Sequence, residues 1–230
     1  MKKFLCGAVI FLSVTAFSAA AGIADEARAG NARADASYAF GMALAIDIFL
    51  GSGIQFNYDA FVRGFRNAME GNETRFTMEE AMEIIQAAYI AAQAEMLERN
   101  LAEGEAFLAE NAQREGVITT PSGLQFEMLV EGTGDMPDIS DVVLVHYHGT
   151  TIDGTVFDTT QGSDPIEITL DMVIQGWSEG ISMMREGGRA RLFIPPHLAY
   201  GERGAGGVIG PNVTVIFEVE LISIVRYEQY

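Results

Sequence analysis

Cysteine is almost missing from this 230-residue chain: the single one, Cys6, lies inside the first apolar segment. Too little apolar sequence precedes it for a lipid-attachment cysteine. Everything downstream is free of thiols and disulfides, so stability has to come from packing, binding or assembly. Lysine is nearly as scarce, since Lys2 and Lys3 are the only two and every later cation is arginine. Positive charge is in deficit throughout, with 14 Lys and Arg against 32 Asp and Glu and a formal net charge of -18. Loss of both leader lysines takes that to -20. Such a surface repels nucleic acid and anionic membranes and attracts basic clients at low salt, although solubility alone accounts for it equally well. Also lacking are a phosphate-cradling glycine loop, a nucleophile triad and a zinc motif. No cofactor is expected. His146 and His148 share one strand face and His197 is far away in sequence, with no cysteines or clustered carboxylates beside them, so no metal site is expected.

At the N-terminus two lysines precede an apolar run from Phe4 to Ala20, and Ala19, Ala20 and Ala21 offer a small-residue cleavage site. This is the pattern of a secretory signal peptide over 1–21; an uncleaved N-terminal anchor is the alternative reading. Residues 22–33 are small and polar and read as a loose tail.

Two compositional halves follow. No proline occurs between 34 and 115, and this half reads as helices. The first helix spans about 34–50 and ends at Gly51-Ser52-Gly53. Tyr38, Met42, Ala45 and Phe49 form a stripe, but Leu44, Ile46 and Ile48 make the helix apolar on other faces too. The second runs from a cap at Asn57 through Phe61, Phe65 and Met69 to Gly71. Two such helices cannot enclose their own apolar faces, so a second copy is expected to pair with them. The third opens on a capping box, Thr77 with Glu80, and extends toward Arg114. Met82, Ile85, Tyr89, Ala92 and Met96 alternate three- and four-residue steps, the seam of a packed helix. Beyond Leu97 the composition turns to Glu, Asn, Ala and Gly. The first part is therefore expected to dock and the second to stand in water, with Gly104 as a weak point; a continuous core helix is the alternative reading.

From Pro121 onward the residues alternate as strands. Val143, Val145 and Tyr147 share a face, Ala190, Leu192 and Ile194 alternate with Arg189 and Arg191, and Val213, Val215, Phe217, Val219 and Leu221 form a last inward face. Asp171 is placed to cap a short helix carrying Trp177 and Ile181. The fold class is α+β: an N-terminal all-helical dimerisation domain over 34–76, a long connecting helix over 77–115, and an antiparallel sheet wrapped on one short helix over 116–230.

Six segments then resemble one family in order and spacing: Val145-His146-Tyr147, Gly154-Thr155-Val156-Phe157-Asp158, Val173-Ile174-Gln175-Gly176-Trp177, Ala199-Tyr200-Gly201, Gly207-Val208-Ile209-Gly210-Pro211-Asn212, and Val215-Ile216-Phe217-Glu218-Val219-Glu220-Leu221. They resemble the signature of FKBP-type peptidyl-prolyl cis/trans isomerases over about 120–225. Ser37-Tyr38-Ala39-Phe40-Gly41, the long helix and Thr120-Pro121-Ser122-Gly123-Leu124-Gln125 are similar to the bacterial macrophage infectivity potentiator (Mip-like) group. The resemblance implies an exported homodimer, in the periplasm or on the outer-membrane surface, joined through its N-terminal helices. Its partners would be proline-containing unfolded or extended polypeptides and macrolide inhibitors. It also implies an apolar pocket with Tyr147, Phe157, Asp158, Ile174, Trp177, Tyr200 and Phe217 as catalytic residues and Val173, Ile166, Val208 and Ile209 contacting substrate. A rim aromatic of the family stands here as Ile166, and a loop histidine as Ala205.

Rotation about an X-Pro bond needs no nucleophile, metal or redox group. The planar amide is polar through resonance, and the twisted transition state has lost it, so an apolar pocket favours the latter. The resemblance implies that the Ile174 N–H holds a substrate carbonyl, with the Tyr200 hydroxyl as a second donor. Three functional readings stay open: a folding catalyst for exported proteins, a holdase whose dimer cleft grips clients, and a surface interaction protein with incidental activity. Catalysis is expected to reside from about Val117 onward and holding activity in 34–115.

Overall fold

The computed structural model describes residues 32–46 and 52–226. The leader, most of the tail, and Ile48 and Phe49 lie outside the described residues. The chain divides into two compact units, 1–51 and 52–230. The described helix of the first, α1 (Ala32–Leu44), begins two residues earlier than its apolar pattern suggests, and none of its residues is buried. Tyr38 is 76% exposed.

In the second unit, α2 (Tyr58–Glu70) has both ends set locally. The Asn57 side chain accepts from the Ala60 N–H, and Gly71 closes the helix in the left-handed conformation at φ 71°. The helix α3 (Met78–Asn111) starts on the capping box foreseen from sequence. The Thr77 hydroxyl accepts from the Glu80 N–H while the Glu80 carboxylate accepts from the Thr77 N–H at 2.8 Å. The Thr77 N–H, and then the Thr77 hydroxyl donating to the same carboxylate, hold the Glu80 carboxyl below its usual range. Its 34 residues span about 50 Å.

The sheet is antiparallel throughout, in the order β1 (Val117–Thr119), β2 (Gln125–Val130), β6 (Gly188–Ile194), β7 (Val215–Val225), β3 (Val142–Thr151), β4 (Val156–Thr159), with β5 (Ile166–Thr169) pairing the near end of β3. Alternation sorts the two faces. Val143, Val145, Leu192, Ile194, Val219 and Leu221 turn inward, where α4 (Gln175–Ser182) covers them through Trp177 and Ile181. The helix lies so close to β6 that a Cβ on Gly176 would sit 2.3 Å from Ile194 Cγ2. On the outer face Arg191 bridges Glu127 at 3.2 Å and Glu218 at 3.1 Å across three neighbouring strands. Arg189 sits 3.6 Å from Glu218 in the same ladder, which leaves this pair of arginines as strand-face partners.

Four sequence expectations change. Asp171 lies in a separate 3-10 turn (Leu170–Met172), and Ile174, without a side-chain cap, starts α4. Val213 precedes β7, half-buried against the core but outside the strand. The docking of α3 shifts along the helix. Met82, Ile85 and Tyr89 are exposed, Ala92 is buried and Met96 half-buried beside Gly53, and the polar second half packs on the sheet domain. There Gln125 Nε2 donates to the Leu108 carbonyl and Asn111 Nδ2 donates to Gln125 Oε1, each at 2.7 Å, while Phe107 meets Phe193 at 6.0 Å. Gly104 is a close-contact residue against Thr214, not a hinge.

Candidate active site

At the end of the sheet where α4 begins, a depression of about 320 Å³ opens to solvent. Its lining comes from five elements: Tyr147 from β3, Asp158 from β4, Ile166 and Ile168 from β5, Met172, Val173, Ile174 and Trp177 around the start of α4, and Tyr200 and Phe217 beyond. Trp177 is the floor, 6% exposed. Tyr147 and Phe217 stand edge-to-face against it, with centroids at 5.1 and 5.0 Å. Phe157 supports Phe217 from behind at 5.3 Å and does not line the depression itself. Such edge-to-face contacts contribute about 0.5–1.5 kcal/mol each beyond area burial and fix ring orientation.

Asp158 is the one carboxylate at this apolar surface. Its Oδ2 accepts from the Tyr147 hydroxyl at 2.7 Å and its Oδ1 from the Thr159 N–H at 2.9 Å. The buried Thr160 locks the register: its hydroxyl accepts from the Tyr147 N–H at 2.9 Å, and its own N–H donates to the Tyr147 carbonyl. Partial burial, then the hydrogen bond and charge of Asp158, push the Tyr147 hydroxyl well above its ordinary value. Burial first and the Asp158 charge second raise Tyr200 as well. Both phenols therefore stay protonated and can donate.

Besides the buried Trp177 Nε1–H in the floor, two donors at the depression have no partner among the described residues. One is the Tyr200 hydroxyl. The other is the Ile174 N–H, at the uncapped start of α4, where the helix leaves its first amides unsatisfied and its dipole favours an acceptor. An apolar floor with two unpaired donors suits a polypeptide carbonyl beside an apolar ring.

Of the eleven residues singled out from sequence, eight line this depression. Phe157 backs it. Val208 and Ile209 are not brought to it: an Ala205–Ile209 bridge folds the loop so that Ile209 enters the core and Val208 points out, 56% exposed. Ala205, in the position of a family histidine, is one half of that bridge. Ile168 and Met172 were missed. Ile168 was signalled by the two-residue step from Ile166; Met172, exposed at the lip, carried no signal. The three histidines do not converge. His146 and His148 meet Thr160 and Thr159 through Nδ1 at 3.0 and 3.1 Å, and among the described residues no group of metal-ligating side chains occurs.

Comparison with known proteins agrees with this geometry. Residues 134–222 match the family model of FKBP-type peptidyl-prolyl cis-trans isomerase, and residues 33–128 match the domain amino-terminal to it. The chain is 39% identical to the outer membrane protein MIP of Legionella longbeachae, covering 82% of this chain and 84% of that one. It is 42% identical to the FKBP-type 22 kDa peptidyl-prolyl cis-trans isomerase of Escherichia coli, over 72% of this chain and 82% of that one. Among solved structures, FkpA from Escherichia coli superposes with a TM-score of 0.64 at 33% identity, covering 85% of this chain and 97% of that one.

Proposed function

The chain belongs to the family of FKBP-type peptidyl-prolyl cis-trans isomerases, and we propose that it turns X-Pro bonds in exported polypeptides at the depression over Trp177. One observation carries this reading: Tyr147, Asp158, Ile174, Tyr200 and Phe217 converge from separate elements on a single apolar floor. The prolyl ring lies on Trp177, flanked by Val173, Ile174 and Phe217. The Ile174 N–H holds a neighbouring carbonyl, and the Tyr200 hydroxyl is the second donor. Asp158 orients Tyr147.

Magnitudes distribute the work. The uncatalysed barrier is about 18–20 kcal/mol, and each tenfold acceleration removes about 1.4 kcal/mol. A neutral hydrogen bond contributes about 0.5–1.5 kcal/mol. Neither donor alone supplies several decades, so desolvation on the aromatic floor and the bound turn must share the task. The test is the cis-to-trans rate of a short X-Pro peptide with and without an FKBP-directed macrolide. Macrolide-sensitive acceleration supports the site; a folded protein with no acceleration sinks it.

Chaperone action from a homodimer is the second part of the proposal. The exposed aromatics of α1 and α2 and the exposed seam of α3 favour it, because monomeric surfaces rarely leave such residues in the open. Pairing of these helices would cover one face and leave a cleft for unfolded chains, with two prolyl sites adding avidity. Export follows from the lysine-led apolar leader, and a relative bearing the name outer membrane protein supports it. Sedimentation and suppression of client aggregation test both. A monomer that fails to hold clients would leave only the isomerase.

A further inference from the structure

The loop from Pro195 to Thr214 brings Tyr200 to the depression, yet a face of the connecting helix holds it. Three points on α3, spaced three and four residues apart, touch the last turn of that loop. The Leu97 carbonyl accepts from Asn212 Nδ2 at 3.5 Å. Asn100 Nδ2 donates to the Pro211 carbonyl at 2.7 Å. Gly104 lies against Thr214, where a Cβ would come within 2.4 Å of the hydroxyl. Between these contacts runs a groove of about 250 Å³ lined by Met96, Asn100, Val208 and Val213 among others, so hydrogen bonds and one close contact, more than apolar packing, fix the loop.

The held turn leads straight back to the site. The Asn212 N–H donates to the Gly201 carbonyl at 2.9 Å, next to Tyr200. Asn212 is also the one described residue other than glycine with a left-handed backbone, at φ 54°. Such a conformation persists where surrounding contacts over-determine it. A carbonyl accepts only from the amide nitrogen, so the orientation of the Asn100 side chain follows from its partner.

We propose that Asn100 is a positioning residue for isomerisation: from the connecting helix it clamps Pro211 and Asn212, and through Gly201 it holds the Tyr200 hydroxyl over the prolyl depression. The inference rests on the site assignment above and adds that the helix is part of the catalytic machinery's support, although sequence placed catalysis from Val117 onward.

The test uses the full chain. Asn100→Asp keeps the shape and removes the donor; Asn100→Ala, a helix-favouring change, covers the case in which the added charge impairs folding. Each is expected to lower kcat on a short X-Pro peptide about three- to tenfold, the worth of one hydrogen bond, with KM within about twofold. In a Tyr200→Phe background the same change is expected to have no further effect, because the group being positioned is gone. Amide exchange at Asn212 and Ile209 should quicken while that of β6 and β7 stays unchanged. A wild-type protein without activity overturns the site assignment and this inference with it. Active wild type with unaltered Asn100 variants, or an equal loss in the Tyr200→Phe background, overturns this inference alone.

Discussion

The sheet domain and the helices before it spend their apolar residues in opposite ways. In the sheet domain Val143, Val145, Ile181, Leu192 and Val219 are fully buried. In α1 and α2 no residue is buried, and Phe40, Phe65 and Met69 are largely exposed. The contrast runs through α3 itself, whose apolar first turns, with Met82, Ile85 and Tyr89, are open and whose polar half is docked. A surface that satisfies hydrogen bonds within the chain can close on its own; an exposed apolar stripe waits for another surface. The sheet domain buries its own apolar residues, and in the homodimer proposed above the helices owe their stability to assembly.

The largest effect should come from breaking the helical side. In a two-fold dimer each substitution acts twice. Losing a buried Phe costs about 1.5–3 kcal/mol per copy, so Phe65→Asp should weaken dimerisation by about 10²- to 10⁴-fold. Sedimentation velocity at micromolar protein reads this directly, and macrolide-sensitive activity on short peptides should survive. A variant that stays dimeric places the contact away from α2.

The next tests the sheet side. Trp177→Ala removes the floor and leaves a cavity, at a cost of about 3–5 kcal/mol. Urea unfolding should show a midpoint well below wild type, and macrolide binding should be lost. If binding persisted in the folded variant, the depression would not be the ligand site.

Asp158 separates activity from stability more finely. Asp158→Ala should reduce kcat/KM by up to about tenfold without abolishing it, since one hydrogen bond to Tyr147 is lost. Complete inactivity in a folded variant would contradict shared catalysis. Asp158→Asn carries a pH signature. Tyr147 and Tyr200 are raised in the fold above their unfolded value near 10. Their contribution to stability is thus whole below about pH 10 and is lost as pH rises through the folded values. Unfolding followed from pH 8 upward through the folded values should show that decline in wild type, and a smaller total decline in Asp158→Asn, because burial still raises both phenols but the added share from the Asp158 hydrogen bond and charge is gone.

Legibility followed the range of the physics. Caps are local, so Asn57 with Gly71 and Thr77 with Glu80 were readable from a few residues. The sheet was readable because alternation in β6 and β7 answers to a buried face. The docking face of α3 was not, because it is Leu97, Asn100, Gly104, Phe107 and Asn111: helically spaced, yet mostly polar or small. A search for apolar stripes passes over such a face and selects Met82, Ile85 and Tyr89, which stay exposed. At the site, Tyr147, Asp158, Trp177 and Phe217, read as an ordered set, come together at the depression, whereas Val208 and Ile209 do not line it. Their side is decided by the Ala205–Ile209 bridge, a contact between loop residues that spacing does not encode.

The smallest expected effect asks whether α3 docks as closely as its contacts indicate. Gly104→Ala should favour a free helix by about 1 kcal/mol. Here the new methyl would meet the Thr214 hydroxyl at 2.4 Å and its Cβ at 3.3 Å. Thr214 is 1% exposed, and its hydroxyl has no hydrogen-bond partner among the described residues, so it has little room to turn away. Overpacking of this kind costs about 1–3 kcal/mol, more than the helical gain, and the net change should be a loss of about 1 kcal/mol. Thr214→Ala removes the obstructing hydroxyl and γ-methyl, so the double variant should recover part of that loss and show a favourable coupling energy. Additive effects, or a Gly104→Ala protein more stable than wild type, would mean that the polar half of α3 is as free as the apolar half, and the contrast between the two would fail at that joint.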